Sequence, residues 1–276
     1  MGIAASWKKI SISVILAAGL VGCGSVRDIS SELTVTNGKV ISEGEYPEVI
    51  LLHDPAAGAI CTGTFIKDDT VLTAAHCTMQ GKEIDKTSGK VNHTIYWAEV
   101  VADGEKRKAE KIAASTAIYR NPLWDEEFKK QQVNKYDLAI VEFPPGTAKA
   151  TARISSQKVK EGDTLTIVGY GLNYVPKSKT EIDKTSAGVK RMGTNKVSNL
   201  YRGFIYFSGA TETTTADGTT VNASMGDSGG PLFIDGNLAG ITSGGGRDLF
   251  GRGASLYIDL QTEESKAFLG GLGIKY

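Results

Sequence analysis

Gly226-Asp227-Ser228-Gly229-Gly230-Pro231 is the stretch on which the reading of this chain turns. A serine hemmed by three glycines sits on backbone that can turn tightly and let another molecule approach closely. A nucleophile needs that setting, because neighbouring N–H groups must point at the negative charge developing on the group it attacks. A chain with 33 glycines in 276 residues also carries Gly-rich turns without chemistry, so the segment needs partners.

The partners must come from upstream. Alone, Gly-x-Ser-x-Gly also fits the nucleophile elbow of an α/β-hydrolase, but that fold places its histidine after the serine. The three histidines, His53, His76 and His93, all precede Ser228, which excludes it. Leu72-Thr73-Ala74-Ala75-His76-Cys77 closes an apolar segment with small residues and presents His76 beside a cysteine. His53 and His93 lack such a setting and read as ordinary polar residues. In Tyr136-Asp137-Leu138-Ala139-Ile140-Val141 a carboxylate opens an apolar run, which is costly unless it is paired or hydrogen-bonded. A strand-capping aspartate would account for it in isolation. With His76 and Ser228 placed, an acid that orients the imidazole is the expectation.

Between these segments, short apolar or alternating runs recur at 48–52, 60–66, 71–74, 94–101, 138–143, 164–168, 204–207, 231–234, 238–242 and 255–260, separated by Gly, Asn and Asp turns. Their β-branched and aromatic content predicts an all-β sandwich or pair of barrels. Helical periodicity is expected mainly at the end, over 262–269, with Thr262 as N-cap and Glu263 and Glu264 in the first turn, where the helix dipole favours them. The subtilisin-like alternative fails for want of alternating strands and helices. Lys-rich stretches at Lys106-Arg107-Lys108 and 177–184 read as solvated loops.

Thr73-Ala74-Ala75-His76-Cys77, Asp137-Leu138-Ala139-Ile140 and Gly226-Asp227-Ser228-Gly229-Gly230-Pro231 resemble the three signatures of trypsin/chymotrypsin-like serine proteases, in the family's order. Val35-Thr36-Asn37-Gly38 resembles the mature start, Gly169-Tyr170-Gly171 the Gly-aromatic-Gly, and Ser243-Gly244-Gly245 the substrate-binding edge strand. The likeness runs from about 35 to 269. It implies two packed six-stranded antiparallel β-barrels with a C-terminal helix, and a triad of His76, Asp137 and Ser228. It further implies an oxyanion hole from the N–H groups of Gly226 and Ser228, a Cys61–Cys77 disulfide flanking the histidine, and a protein or peptide substrate. No cofactor, metal or nucleic-acid partner is implied, and a monomer is expected. The rival class is a non-catalytic binding or cofactor protein on the same fold, which would usually lack a triad residue.

Some positions depart from the family. Asn222, six residues before Ser228, falls at the floor of the primary specificity pocket, where aspartate would select Lys or Arg. A neutral amide predicts a neutral P1 residue, with Gly245 leaving the mouth open and Ser255 narrowing the base. Ser224 stands where relatives often have a cysteine, and Gly244 where they often have tryptophan. Activation in the family frees an amine, here that of Val35, to pair with the aspartate before the nucleophile, here Asp227. The bond to cut is Thr34-Val35, and no Lys or Arg precedes it.

The N-terminus carries Lys8 and Lys9, then an apolar run of about a dozen residues, the order of an export signal. It ends Leu20-Val21-Gly22-Cys23, resembling a bacterial lipoprotein signal over 1–22 with Cys23 acylated. Residues 23–34 then form a tether or propeptide, and 35–276 the protease domain. Three cysteines in an exported chain need an explanation. Cys61 and Cys77 can pair in an oxidising compartment, leaving Cys23 for the lipid. The expected location is a membrane anchor facing periplasm or cell exterior, with activation cleavage releasing the enzyme. Lys plus Arg equals Asp plus Glu at 31 each, so no basic excess invites nucleic acid.

Overall fold

In this computed structural model, the described residues are 35–275 apart from 104–105, 132, 179, 181, 183 and 249. The expected export signal, Cys23 and the expected tether over 23–34 lie outside them.

Among the described residues, fifteen strands fall into two antiparallel sheets. The first takes β2 (Val49–Asp54), β3 (Ala59–Phe65), β4 (Thr70–Thr73), β5 (Tyr96–Asp103), β6 (Lys106–Ala114), β7 (Ala117–Arg120) and β8 (Ala139–Glu142), in the order β6-β5-β2-β3-β4-β8-β7. The second takes β1 (Lys39–Val40), β9 (Thr164–Gly169), β10 (Arg191–Lys196), β11 (Asn199–Tyr201), β12 (Phe204–Gly209), β13 (Pro231–Ile234), β14 (Asn237–Arg247) and β15 (Gly253–Asp259). Its order is β1-β10-β9-β13-β14-β15-β12-β11. The counts of seven and eight differ from six and six for simple reasons. Only Ser115 and Thr116 separate β6 from β7, while β1 and β11 are two- and three-residue additions at the ends of the second sheet. Among the described residues there are two α-helices, α1 (Pro122–Phe128) and the C-terminal α2 (Glu263–Gly271).

The continuous apolar runs follow from strands buried on both faces. Successive side chains point to opposite faces, so a strand between two cores has no polar side to show. In β2, Ile50 and Leu52 enter the core of the first sheet with Phe65, Val71, Trp97 and Val141. Val49 and Leu51 face the other way, into a core shared with Val168, Phe233 and Ile241 of the second sheet. β4 and β8 divide likewise, Val71 and Val141 to one side, Leu72 and Ile140 to the other. The second sheet closes its own core around Val35, Leu165, Ile167, Phe207 and Tyr257. Thr262 caps α2, its Oγ1 accepting from Ser265 N at 3.2 Å.

One reading is corrected. Lys106-Arg107-Lys108 opens strand β6, not a loop. β6 pairs with β5 alone at the end of its sheet, where exposed charged positions such as Lys108, Glu110 and Lys111 are compatible with a strand.

Candidate active site

Two strand exits bring His76 and Asp137 together. β4 and β8 are antiparallel, with Thr73 opposite Ala139. Going forward from Thr73 and backward from Ala139 therefore leads to the same edge of the sheet. His76 lies there in the short 3-10 turn Ala75–Thr78, and Asp137 two residues before β8 begins.

Asp137 is 1% exposed and fully engaged. Its Oδ1 accepts from His76 backbone N at 2.8 Å, and its Oδ2 accepts from His76 Nδ1 at 2.7 Å and from Ser243 Oγ at 2.6 Å. Those bonds offset the cost of burying the carboxylate. They also decide the tautomer: Nδ1 facing a carboxylate carries the proton, leaving Nε2 as a base. Burial acts to lower the His76 pKa, but the charge of Asp137 and its hydrogen bond outweigh it, and the result lies above the ordinary imidazole value. A Cys61–Cys77 disulfide, Cα–Cα 6.1 Å, packs beside the ring.

Ser228 arrives from the second sheet on the 226–230 turn just before β13. Two glycines there are steric necessities. Gly226 has φ +100° and Gly229 φ +78°, and a Cβ on Gly229 would lie 2.0 Å from Thr73 Oγ1. The turn is held by Thr62 of β3, a residue the sequence did not single out. Thr62 N donates to Ser228 O at 2.8 Å, and Thr62 Oγ1 donates to Gly226 O at 2.9 Å. Thr62 O in turn accepts from Thr73 Oγ1, so one buried threonine links the serine turn to the strand leading to His76. The Ser228 carbonyl oxygen lies 3.5 Å from Cys77 Sγ. Among the described residues no hydrogen bond joins the Ser228 hydroxyl to His76, a contact that in unliganded sites often tightens only with substrate.

The N–H groups of Asp227, Gly229 and Gly230 donate to backbone carbonyls, whereas those of Gly226 and Ser228 have no acceptor among the described residues. Two free donors flanking a hydroxyl can receive an oxyanion. Beside them opens a cavity of about 370 Å³, lined by Val175, Pro176, Ile182, Ala223 and Met225, four hydroxyl residues including Ser228, and Gly244, Gly245 and Gly246. Among the described residues, no charged side chain is in its lining. Asn222 and Ser255 lie fully buried outside that lining. Ser255 Oγ donates to Asn222 Oδ1 at 2.6 Å and accepts from Ala223 N at 2.9 Å. Of the other expected pocket residues, Gly245 lines the cavity and the Ser243 hydroxyl goes to Asp137.

Asp227 is buried, with Oδ1 accepting from Gly171 N and Oδ2 from Ser224 N, each at 2.8 Å. Burial pushes its carboxyl up to about 7, against the pull of those two N–H groups and the Arg191 charge. Val35 is fully buried with φ +51°, a strained conformation for a β-branched residue. Thr36 and Asn222 exchange backbone hydrogen bonds. His53 and His93 lie apart from the site, His93 paired with Asp54 at 2.9 Å.

The trypsin family model matches residues 35–263. Trypsin theta of Drosophila melanogaster is 27% identical over 238 residues, covering 83% of this chain and 82% of its own. An alpha-fibrinogenase-like protein of Daboia siamensis is 27% identical over 231 residues, 83% of each. Among solved structures, a Glu endopeptidase in complex with MPD aligns over 86% of this chain and 98% of its own, with TM-score 0.56 and 16% identity, a likeness of fold. The match to the family model spans most of the chain, and this protein belongs to the trypsin family of serine proteases.

Proposed function

We propose that the chain is a serine endopeptidase that hydrolyses peptide bonds through His76, Asp137 and Ser228. The observation that carries the reading is the His76 Nδ1 to Asp137 Oδ2 bond of 2.7 Å, which leaves Nε2 free to act as the base. Ser228 Oγ attacks the peptide carbonyl while its proton passes to His76 Nε2. The resulting oxyanion is received by the N–H groups of Gly226 and Ser228, and losing one such donor typically costs about 2.7–4 kcal/mol of barrier. His76 then protonates the leaving amine. Water, deprotonated by the same nitrogen, releases the acyl group from Ser228.

The substrate is a protein or peptide with an uncharged P1 side chain. The described residues that line the cavity carry no charge, and the buried Asn222 accepts from Ser255 Oγ where an aspartate would carry a charge, which supports this. Profiling with a peptide library varied at P1 should give cleavage after neutral residues. Exclusive cleavage after Lys or Arg would contradict it.

The enzyme is made as a lipid-anchored zymogen, tethered through Cys23 and exported. An oxidising compartment fits the disulfide. Cutting Thr34-Val35 frees the Val35 amine, relieves the strained backbone at that residue and releases the domain. The tether between Cys23 and Val35 reaches roughly 40 Å when extended. N-terminal sequencing of membrane-bound and soluble fractions should find Cys23 and Val35 respectively, with activity in the second. A fully active membrane form still starting at Cys23 would overturn the scheme.

Asp227 adds a pH signature. A carboxyl raised to about 7 in the fold binds a proton that the unfolded chain releases near 4. Stability of the uncut form therefore falls as pH rises across that window, by up to about 4 kcal/mol. An ammonium against the carboxylate removes this loss. Cleavage should thus raise Tm more at pH 8 than at pH 5, as measured by calorimetry; an equal gain at both would contradict the Asp227 pairing.

A further inference from the structure

We infer that Arg120 is a positioning residue that locks the His76 turn onto the strand carrying Asp137, an assignment that rests on the proposed catalytic pair. Arginine is seldom buried unless every donor has work, yet Arg120 is 2% exposed in β7. Its guanidinium spans three elements. Nη1 donates to Thr78 O at 2.8 Å, Nη2 to Gly81 O at 3.1 Å, and Nε to Asp125 Oδ2 of α1 at 2.9 Å. Thr78 is the last residue of the His76 turn, and Gly81 N donates back to Thr78 O. The cation therefore holds the carbonyl end of the segment that presents the imidazole, where positive charge is favoured. The ring of Trp124, 5.4 Å from the guanidinium, backs it from α1.

The strand that carries Arg120 also borders the segment that follows the acid. Arg120 pairs with Ala139 across β7 and β8, and Asn121 N donates to Leu138 O at 3.0 Å. Leu138 and Ala139 directly follow Asp137. Arg120 thus grips the His76 turn with its side chain from a strand position opposite Ala139, while the next residue, Asn121, bonds the chain directly after Asp137. A planar fork is required, because two carbonyls and a carboxylate are met at once. A lysine ammonium on a flexible stem cannot reproduce that geometry. Catalytic groups tolerate only about 0.5 Å of misplacement, and about 1 Å can cost 10²-fold in rate.

The test compares wild type, Arg120→Gln, Arg120→Lys and Leu269→Ala, the last a truncation of a buried residue of the C-terminal helix α2. Each is measured for kcat and KM on one peptide, for the acid limb of kcat/KM against pH, for Tm, and for the NMR resonance of the His76 Nδ1 proton. Arg120→Gln should lower kcat about 10–100-fold with KM within about twofold. It should also shift the acid limb downward and broaden or move the Nδ1 resonance, because a loosened Asp137 raises the imidazole less. Arg120→Lys should recover part of each effect. Leu269→Ala should lose Tm with the limb and resonance in place. If Arg120→Gln does not fold, the lysine variant is read alone against Leu269→Ala. Equal limbs and resonances in the arginine and leucine variants would overturn the inference. A wild type that shows the resonance but hydrolyses no peptide would instead sink the proteolytic reading, and the resonance would still judge the role of Arg120.

Discussion

Replacing Ser228 with alanine is expected to lower kcat on a cleavable peptide by about six orders of magnitude, with KM and Tm nearly unchanged. The size follows from the division of labour. The proposed base, His76, and the proposed oxyanion donors, Gly226 and Ser228, cannot transfer an acyl group that no oxygen attacks. What remains is binding and the backbone N–H pair, worth about 10³–10⁴ over water in comparable sites. Stability should hold because the Ser228 hydroxyl makes no hydrogen bond among the described residues, while its carbonyl bond to Thr62 survives the change. Steady-state kinetics with calorimetry on the same preparation decide the matter. A variant retaining a tenth of the activity would mean that another group is the nucleophile.

Asp137→Asn should cost about 10⁴ in kcat, a smaller loss by a different route. The amide can still accept from His76 N through its oxygen, so the fold should persist. Its NH2 then faces Nδ1, which must become an acceptor. The ring proton moves to Nε2, the nitrogen that has to accept from Ser228, and the base is lost. The pH profile carries the same signature. Because Asp137 raises His76 above its ordinary value, activity of the parent should fall as pH drops through that raised pKa. Removing the carboxylate charge should move the fall to lower pH. The same linkage means that the His76–Asp137 pair stabilises the fold most below the ordinary imidazole pKa and loses that contribution as pH rises through the raised one. A full-rate asparagine variant with an unmoved acid limb would show that Asp137 does not orient the imidazole.

How far the sequence could be read depended on whether local pattern and tertiary role coincide. Strands buried on both faces, such as β2, β4 and β8, leave continuous apolar runs, and the run at 231–234 matches β13. β6 was hidden because an end strand can keep charges on its surface and still pair through its backbone. β10, reading Arg-Met-Gly-Thr-Asn-Lys, was hidden for the opposite reason. Its Arg191 is fully buried, and a Cβ on its Gly193 would meet Val221 at 2.1 Å, so its packing depends on partners remote in sequence. Helix α1 carries a local signal, the N-cap Asn121 followed by Pro122, but at seven residues it is too short to show a helical period. At the site, His76, Asp137 and Ser228 stand in distinctive segments. Thr62 and Arg120 do not. Each works through backbone carbonyls of residues far along the chain, and no spacing rule marks such a contact.

The most direct measurement is the reaction of the Val35-initiated protein with a fluorophosphonate, followed by peptide mapping and by labelling rate against pH. The account predicts one label per chain, on Ser228, forming more slowly as His76 becomes protonated. A label on another serine, or none from a protein that still cleaves peptides, would contradict it.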